Sequence, residues 1–160
     1  MACQKKKHGL QHILLGDFMI RNFNNNDIYA VMQIWKEENI KAHNFIPKEY
    51  WEEKFNYVKS VLPSAKIYVY IDKNIIEGFI GINNNYIEGI FIKEKSQNKG
   101  IGTALLEKVK QLKSKLILNV YEKNKKAIKF YEKNGFKIIK EDTDKETNEK
   151  EYTMIWEKQK

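Results

Sequence analysis

Residues 97–102 read Gln-Asn-Lys-Gly-Ile-Gly, and no other run constrains this chain as much. An apolar, strand-like segment at 87–92 precedes it, and a helix-like segment at 103–112 comes after it. A strand that turns through glycines into a helix presents a row of backbone N–H groups without partners. With the positive end of the helix dipole, these donors make an anion site. Glycine at 100 and 102 lets the backbone approach a phosphate with no Cβ in the way. The spacing is neither Gly-x-x-x-x-Gly-Lys-Ser/Thr nor Gly-x-Gly-x-x-Gly, which disfavours nucleotide-hydrolysing and dinucleotide loops. Two readings remain: a phosphate-bearing ligand held largely by main chain, or a tight turn with no ligand.

A second motif runs from Asn124 to Phe136 as Asn-Lys-Lys-Ala-Ile-Lys-Phe-Tyr-Glu-Lys-Asn-Gly-Phe. Asn124 is suited to cap a helix. Ala127, Phe130 and Tyr131 fall on one face at helical spacing. Asn134-Gly135 is a C-terminal stop signal, and Phe136 opens a new strand.

On these two motifs, their order and their separation, the chain resembles the GCN5-related N-acetyltransferase superfamily over about residues 20–156. The resemblance implies an acetyl-CoA-dependent N-acetyltransferase. The amine acceptor would attack the thioester directly in a ternary complex. Gln97, Asn98, Lys99, Gly100, Ile101, Gly102 and Thr103 would form the pyrophosphate loop. Asn124, Ala127, Phe130 and Tyr131 would form the second cofactor motif, with Gly135 and Phe136 completing it. The backbone of Phe91 and Ile92 would pair with pantetheine and polarise the thioester carbonyl. Tyr131 stands at the family's general-acid position, and a phenol of pKa about 10 can donate to a departing thiolate; packing as a core tyrosine is the other reading. Asn124 would both cap its helix and contact the pantetheine amide. Run 43–46 (His-Asn-Phe-Ile), Tyr50 and Leu62-Pro63 look like a small bacterial subgroup that includes protein-lysine acetyltransferases.

Two residues compete for the role of base. Glu88 lies two residues from Ile90 on the strand leading into the loop, where relatives sometimes place a carboxylate. A solvent-facing glutamate is its alternative. His43 stands just past the first helix in the region that reads the acceptor, and neutral imidazole accepts a proton near pH 7. Substrate positioning or a helix terminus is its alternative. Tyr50, Trp51 and Phe55 either wall the acceptor groove or pack. The acceptor is a primary amine, on a protein lysine or a small molecule. A non-catalytic acetyl-CoA-sensing module is the alternative function, against which the intact Tyr131 and Asn124 argue.

Composition narrows the remaining classes. At 160 residues the chain makes one domain, expected over residues 19–160. Residues 1–18 carry Lys5-Lys6-Lys7-His8 and a short apolar patch at 13–15, and read as a leader or an appended segment. Cys3 is the only cysteine, so no disulfide forms within one chain, which suits the cytoplasm. No apolar run approaches the roughly 20 residues that span a bilayer. The net charge is +8, but lysines and glutamates interleave along the helices, as in Glu107-Lys108 and Glu122-Lys123. That is a solvated face without a basic aromatic stripe, which disfavours nucleic acid. A basic rim suits a cofactor with three phosphate groups, and it disfavours strongly cationic acceptors unless an acidic groove forms locally. His8, His12 and His43 lack metal-ligand spacing, so no metal is expected. The chain is expected as a monomer or homodimer.

The element order reads β-α-α-β-β-β-α-β-α-β-β. Strands are expected near 20–23, 67–71, 75–82, 86–92, 116–121, 136–140 and 152–156. Helices are expected near 26–42, 47–61, 103–112 and 125–133, the first capped by Asn26 or Asp27. The order matches the superfamily's α/β fold, a mixed central sheet with helices on both faces. Strands 86–92 and 116–121 would be parallel neighbours whose ends splay to admit the pantetheine arm.

Overall fold

The structure is a computed structural model and describes residues 18–160. The expected leader thus lies outside the described residues except for Phe18. That residue already pairs with Asp72 in the first strand and stacks on Tyr70, with ring centroids 5.1 Å apart.

Among the described residues, seven strands form one mixed sheet: β1 (Phe18–Asn22), β2 (Lys66–Asp72), β3 (Ile75–Asn83), β4 (Tyr86–Ile92), β5 (Lys115–Tyr121), β6 (Lys137–Asp144) and β7 (Glu149–Glu157). Their spatial order is β1-β2-β3-β4-β5-β7-β6, antiparallel except between β4 and β5. Four helices cover it: α1 (Ile28–Ala42), α2 (Lys48–Val61), α3 (Ile101–Lys110) and α4 (Lys125–Lys133).

Each face carries its own core. Val31, Met32, Ile34 and Trp35 of α1 and Trp51 of α2 pack on Ile67, Val69, Ile71 and Phe79. On the other face, Leu105, Leu106 and Val109 of α3 and Ile128 and Tyr131 of α4 pack on Ile80, Ile82, Ile87, Leu116, Leu118 and Met154. Burying each such aliphatic side chain contributes about 1.5–3 kcal/mol.

Asp27 stands at the N-cap of α1, one of the two expected positions, but its side chain makes no cap hydrogen bond to the helix. Asn24, upstream of both expected residues, accepts from Asn26 N–H at 3.0 Å, and Asp27 accepts from Asn24 N–H at 2.8 Å. This capping box closes a short 3-10 turn at Asn25–Asp27 before the helix. The Asp27 carboxylate also takes both Arg21 guanidinium donors, at 2.7 and 2.9 Å, and so ties β1 to α1.

Two features of β4 open the middle of the sheet and set which side chains face the opening. It meets β5 at a single register pair, Tyr86 and Ile117, anchored by Ile117 N–H donating to the Asn85 carbonyl at 2.9 Å. Beyond that point no β4–β5 register pair occurs among the described residues. In the β3–β4 ladder, Gly81 faces Gly89 while Ile82 faces Ile87, so Glu88 is an unpaired bulge residue. The bulge reverses side-chain parity along β4. Ile87 before it and Ile90 and Ile92 after it all turn toward α3 and α4. Phe91 turns toward α1 and α2, stacked on Phe79 at 5.1 Å.

Candidate active site

The open end between β4 and β5 is a cleft of about 950 Å³. Its walls come from the end of α1, the last residues of β4, the 97–103 loop and α4. The catalytic and cofactor candidates singled out in the sequence line it except Lys99, Glu88 and the motif end Gly135-Phe136, and the aromatics Tyr50, Trp51 and Phe55 lie outside it. Lys99 is exposed beside the loop. Glu88 sits on the bulge with its Cβ 3.9 Å from where a Gly81 Cβ would stand, on the α1–α2 face rather than that of Ile90. It reaches solvent, and partial desolvation holds its carboxyl above the usual range.

The loop is built to leave donors free. Asn98 (φ 62°) and Gly100 (φ 84°) are both left-handed, and they swing the chain from β4 into α3. The first intrahelical bond of α3 is Ala104 N–H to the Gly100 carbonyl, 3.0 Å. The N–H groups of Ile101, Gly102 and Thr103 therefore precede the ladder, and no side chain caps this end. A Cβ on Gly100 would meet nothing within 4 Å, so the space above the turn is open. At Gly102 a Cβ would come within 3.1 Å of the Phe130 ring, so glycine there allows α4 to approach α3 closely. Six lysines (41, 123, 125, 126, 129 and 133) line the cleft against Glu38 and Glu94. Free helix donors, an open glycine turn and surplus positive charge fit a polyphosphate ligand.

The β4 wall divides its backbone groups. Lys93 N–H donates to the Glu77 carbonyl at 2.9 Å, so antiparallel alternation turns the Phe91 groups toward β3. The groups of Ile90 and Ile92 turn toward the gap. The Ile92 carbonyl is already engaged there by Gln97 Nε2 at 2.9 Å. Ile90, which no sequence motif marks, thus presents main chain to the cleft, whereas Phe91 contributes its position on the wall.

At the inner end, side chains distant in sequence converge. His43 caps α1, and its Nδ1 lies 3.0 Å from the Asn39 carbonyl. A carbonyl can only accept, so Nδ1 carries the proton and Nε2 keeps its lone pair. Asn124 Nδ2 donates to that Nε2 at 3.3 Å, while Asn124 Oδ1 accepts from Ala127 N–H at 3.2 Å and caps α4. Burial pushes the imidazole pKa down, opposed by the Asn39 bond. His43 stacks on Trp51 at 5.2 Å and meets Tyr121 and Phe45 edge-on at 5.3 and 5.7 Å. Tyr131 lies across the cleft, 7% exposed, between Phe130 (5.2 Å) and Phe136 (5.4 Å). Burial, and then the nearby Tyr86, push its phenol well above the ordinary range, so it stays protonated.

Two residues that sequence reasoning missed complete the surroundings. Glu38 is buried in the cleft wall, and Tyr121 donates to Asp144 in the β6–β7 turn. Helical spacing marks position 38 as part of the buried stripe of α1, but gives no sign of a partner. No group of three or more His, Cys, Asp and Glu able to hold a metal ion occurs among the described residues. Among them, no helix is long and apolar enough to cross a membrane.

A mixed sheet opens here between two parallel strands beside a glycine turn, and comparison with known proteins identifies the acyl-transfer class that shares this fold. A family model described as an acetyltransferase (GNAT) domain matches residues 63–138. Peptidyl-lysine N-acetyltransferase YiaC of Escherichia coli is 31% identical over 140 residues, 86% of this chain and 96% of that protein. The solution structure of apo YjaB from Escherichia coli superposes with a TM-score of 0.78 at 25% identity, over 89% of this chain and 99% of that one. A Bacillus anthracis protein described as a streptothricin acetyltransferase, crystallised with acetyl coenzyme A, superposes with a TM-score of 0.56 at 28% identity, over 59% of this chain and 63% of that one. The chain belongs to the GNAT family and is an N-acetyltransferase.

Proposed function

We propose that this enzyme transfers acetyl from acetyl-CoA to the side-chain amine of a peptidyl lysine, by direct attack in a ternary complex. The observation that carries the donor is the β4–β5 gap, opened after one register pair and floored by an uncapped helix end. The Bacillus anthracis structure supports the same donor. The names of YiaC and YjaB support the acceptor.

Acetyl-CoA supplies the acetyl group as a thioester. The N–H groups of Ile101, Gly102 and Thr103, aided by Asn98, Lys99, Lys126 and the Gly100 turn, hold its phosphates. Ile90 pairs with a pantetheine amide through the gap, and the Ile92 N–H polarises the thioester oxygen. Asn124 orients the arm beside His43. Ala127 and Phe130 keep water from it. Tyr131 donates its phenolic proton to the departing sulfur.

The acceptor enters from the side of the β6–β7 turn. There Tyr50 donates to Glu146 at 2.9 Å and Tyr121 to Asp144. These bonds hold an acidic turn against aromatic walls, a local groove suited to an ammonium on a chain whose net charge is +8. His43 Nε2, released when Asn124 Nδ2 turns from it to the arm, accepts the proton that the amine must lose. Glu88, on the same face of the sheet, adds negative charge that favours the cationic acceptor.

Calorimetry tests the donor. Micromolar binding of acetyl-CoA with none of ATP is expected; a folded sample that ignores acetyl-CoA overturns the reading. Acetylation of a lysine peptide, with none when that lysine is replaced by arginine, tests the acceptor.

The base is tested by pH. Above the His43 pKa, held below the ordinary 6.5 or so by burial, the imidazole is neutral and competent. Below it, the lone pair is lost. His43→Gln is therefore expected to be about a hundredfold slower than wild type near neutrality. That ratio should shrink toward one as pH falls through the His43 pKa. If Glu88→Gln gives this pattern instead, Glu88 is the base.

A further inference from the structure

The wall behind the loop contains a carboxylate whose presence conflicts with simple electrostatics. Glu38 of α1 is 7% exposed and lines the same cleft as the six lysines. A buried negative charge beside a polyanion site opposes binding, so it needs an offsetting role. Its Oε1 accepts from Gln97 Nε2 at 3.0 Å. The same nitrogen donates to the Ile92 carbonyl at 2.9 Å, and Gln97 Oε1 accepts from Lys126 Nζ at 2.6 Å. Gln97 thus has two acceptors at its nitrogen and an ammonium at its oxygen. That polarity admits one orientation of the amide, because a flip would set oxygen against oxygen and N–H against ammonium. Through this one side chain, the first residue of the loop is tied to α1, to the last residue of β4 and to α4. Lys41 lies 3.8 Å from Glu38 and has its shorter contact with Glu94 at 2.9 Å, so Gln97, at 3.0 Å, is the closer partner of Glu38.

We propose that Glu38 is a positioning residue: it fixes the Gln97 amide and so holds the 97–103 loop in its donor-presenting form before acetyl-CoA arrives. This role rests on acetyl-CoA being the ligand of the loop. A neutral side chain that still accepts from Gln97 should serve, whereas one that cannot accept should not.

The test compares wild type, Glu38→Gln and Glu38→Ala for acetyl-CoA affinity by calorimetry, for KM of each substrate and for kcat. Glu38→Ala is expected to raise Kd and KM for acetyl-CoA about tenfold, with kcat at saturation and KM for the lysine peptide within about twofold of wild type. Glu38→Gln recovers most of the lost affinity. A role in bulk stability alone would instead lower Tm and kcat together in both variants, and would overturn the proposal. Tighter acetyl-CoA binding in both variants would also overturn it, since the charge alone would then matter. If Glu38→Ala does not fold, Gln97→Ala is expected to raise Kd for acetyl-CoA by at least as much, and adding Glu38→Gln to it should raise Kd no further; an additional loss of affinity overturns the proposal. Wild-type binding of acetyl-CoA with an unchanged Glu38→Ala overturns the Glu38 role alone. No binding by wild type overturns the donor reading as well.

Discussion

Replacement of Tyr131 by phenylalanine is expected to lower kcat by about two to three orders of magnitude, with acetyl-CoA affinity within about twofold of wild type. The hydroxyl is the only group removed. The ring keeps its contacts with Phe130 and Phe136, at 5.2 and 5.4 Å, so the core of α4 stays packed. Burial raises the phenol pKa, so Tyr131 is fully protonated throughout the neutral range. A protonated group beside the departing sulfur can donate; an ionised one could not. The raised value also means that Tyr131 adds no alkaline limb to the rate below about pH 10. Steady-state kinetics with a lysine peptide, alongside calorimetry and a melting curve, separate the contributions. Equal kcat in the variant, at unchanged Tm, would remove Tyr131 as the acid.

Gly100→Val is expected to weaken acetyl-CoA binding by at least about tenfold. Two causes act at this position. Its φ of 84° lies where an L-residue costs about 1–2 kcal/mol, and a β-branched one more. The added side chain would also stand in open space above the turn, since among the described residues nothing beyond its chain neighbours lies within 4 Å of the Cβ. Gly100→Asn separates the causes, because asparagine tolerates the left-handed region but still fills the space. Weakened binding by the asparagine variant, at wild-type Tm, assigns the loss to occlusion of the ligand. Wild-type affinity in that variant would mean that the space over Gly100 holds no part of acetyl-CoA. Gly102 differs, for a side chain there meets the Phe130 ring and its first effect falls on α3–α4 packing.

The element order and the local structure of the two motifs are legible in the sequence because each rests on local chemistry. Gly100 marks a tight turn, Asn124 a cap, and residues 103–112 a helix, which in the structure starts two residues earlier and spans Ile101–Lys110. The closing hairpin is only half legible. Side-chain pattern predicts strands at 136–140 and 152–156, but β6 extends to Asp144 and β7 begins at Glu149. Most of β6 is exposed, so its lysines and acids show no alternation; backbone pairing and a turn with Asn148 at φ 58° extend it. The bulge at Glu88 leaves no trace either. Plain alternation sets Glu88 with Ile90 and Ile92, and the extra residue sends it to the other face. Long-range pairs such as His43 with Asn124 or Glu38 with Gln97 have no sequence spacing to betray them, since the fold alone brings them together.

The strand order carries a consequence for how the chain reaches this form. β7 comes after β6 in sequence but lies between it and β5. β5 therefore lacks its antiparallel neighbour until residues 149–157 have left the ribosome. Met154, fully buried against the α3–α4 core, arrives with them. A nascent chain that has already made the glycine loop and both cofactor motifs still has an unpaired β5 edge, open to wrong partners. Such non-local pairing is the slow part of sheet formation. Closure of the sheet beside the cleft thus waits on the last of these strands in sequence to insert between two that precede it.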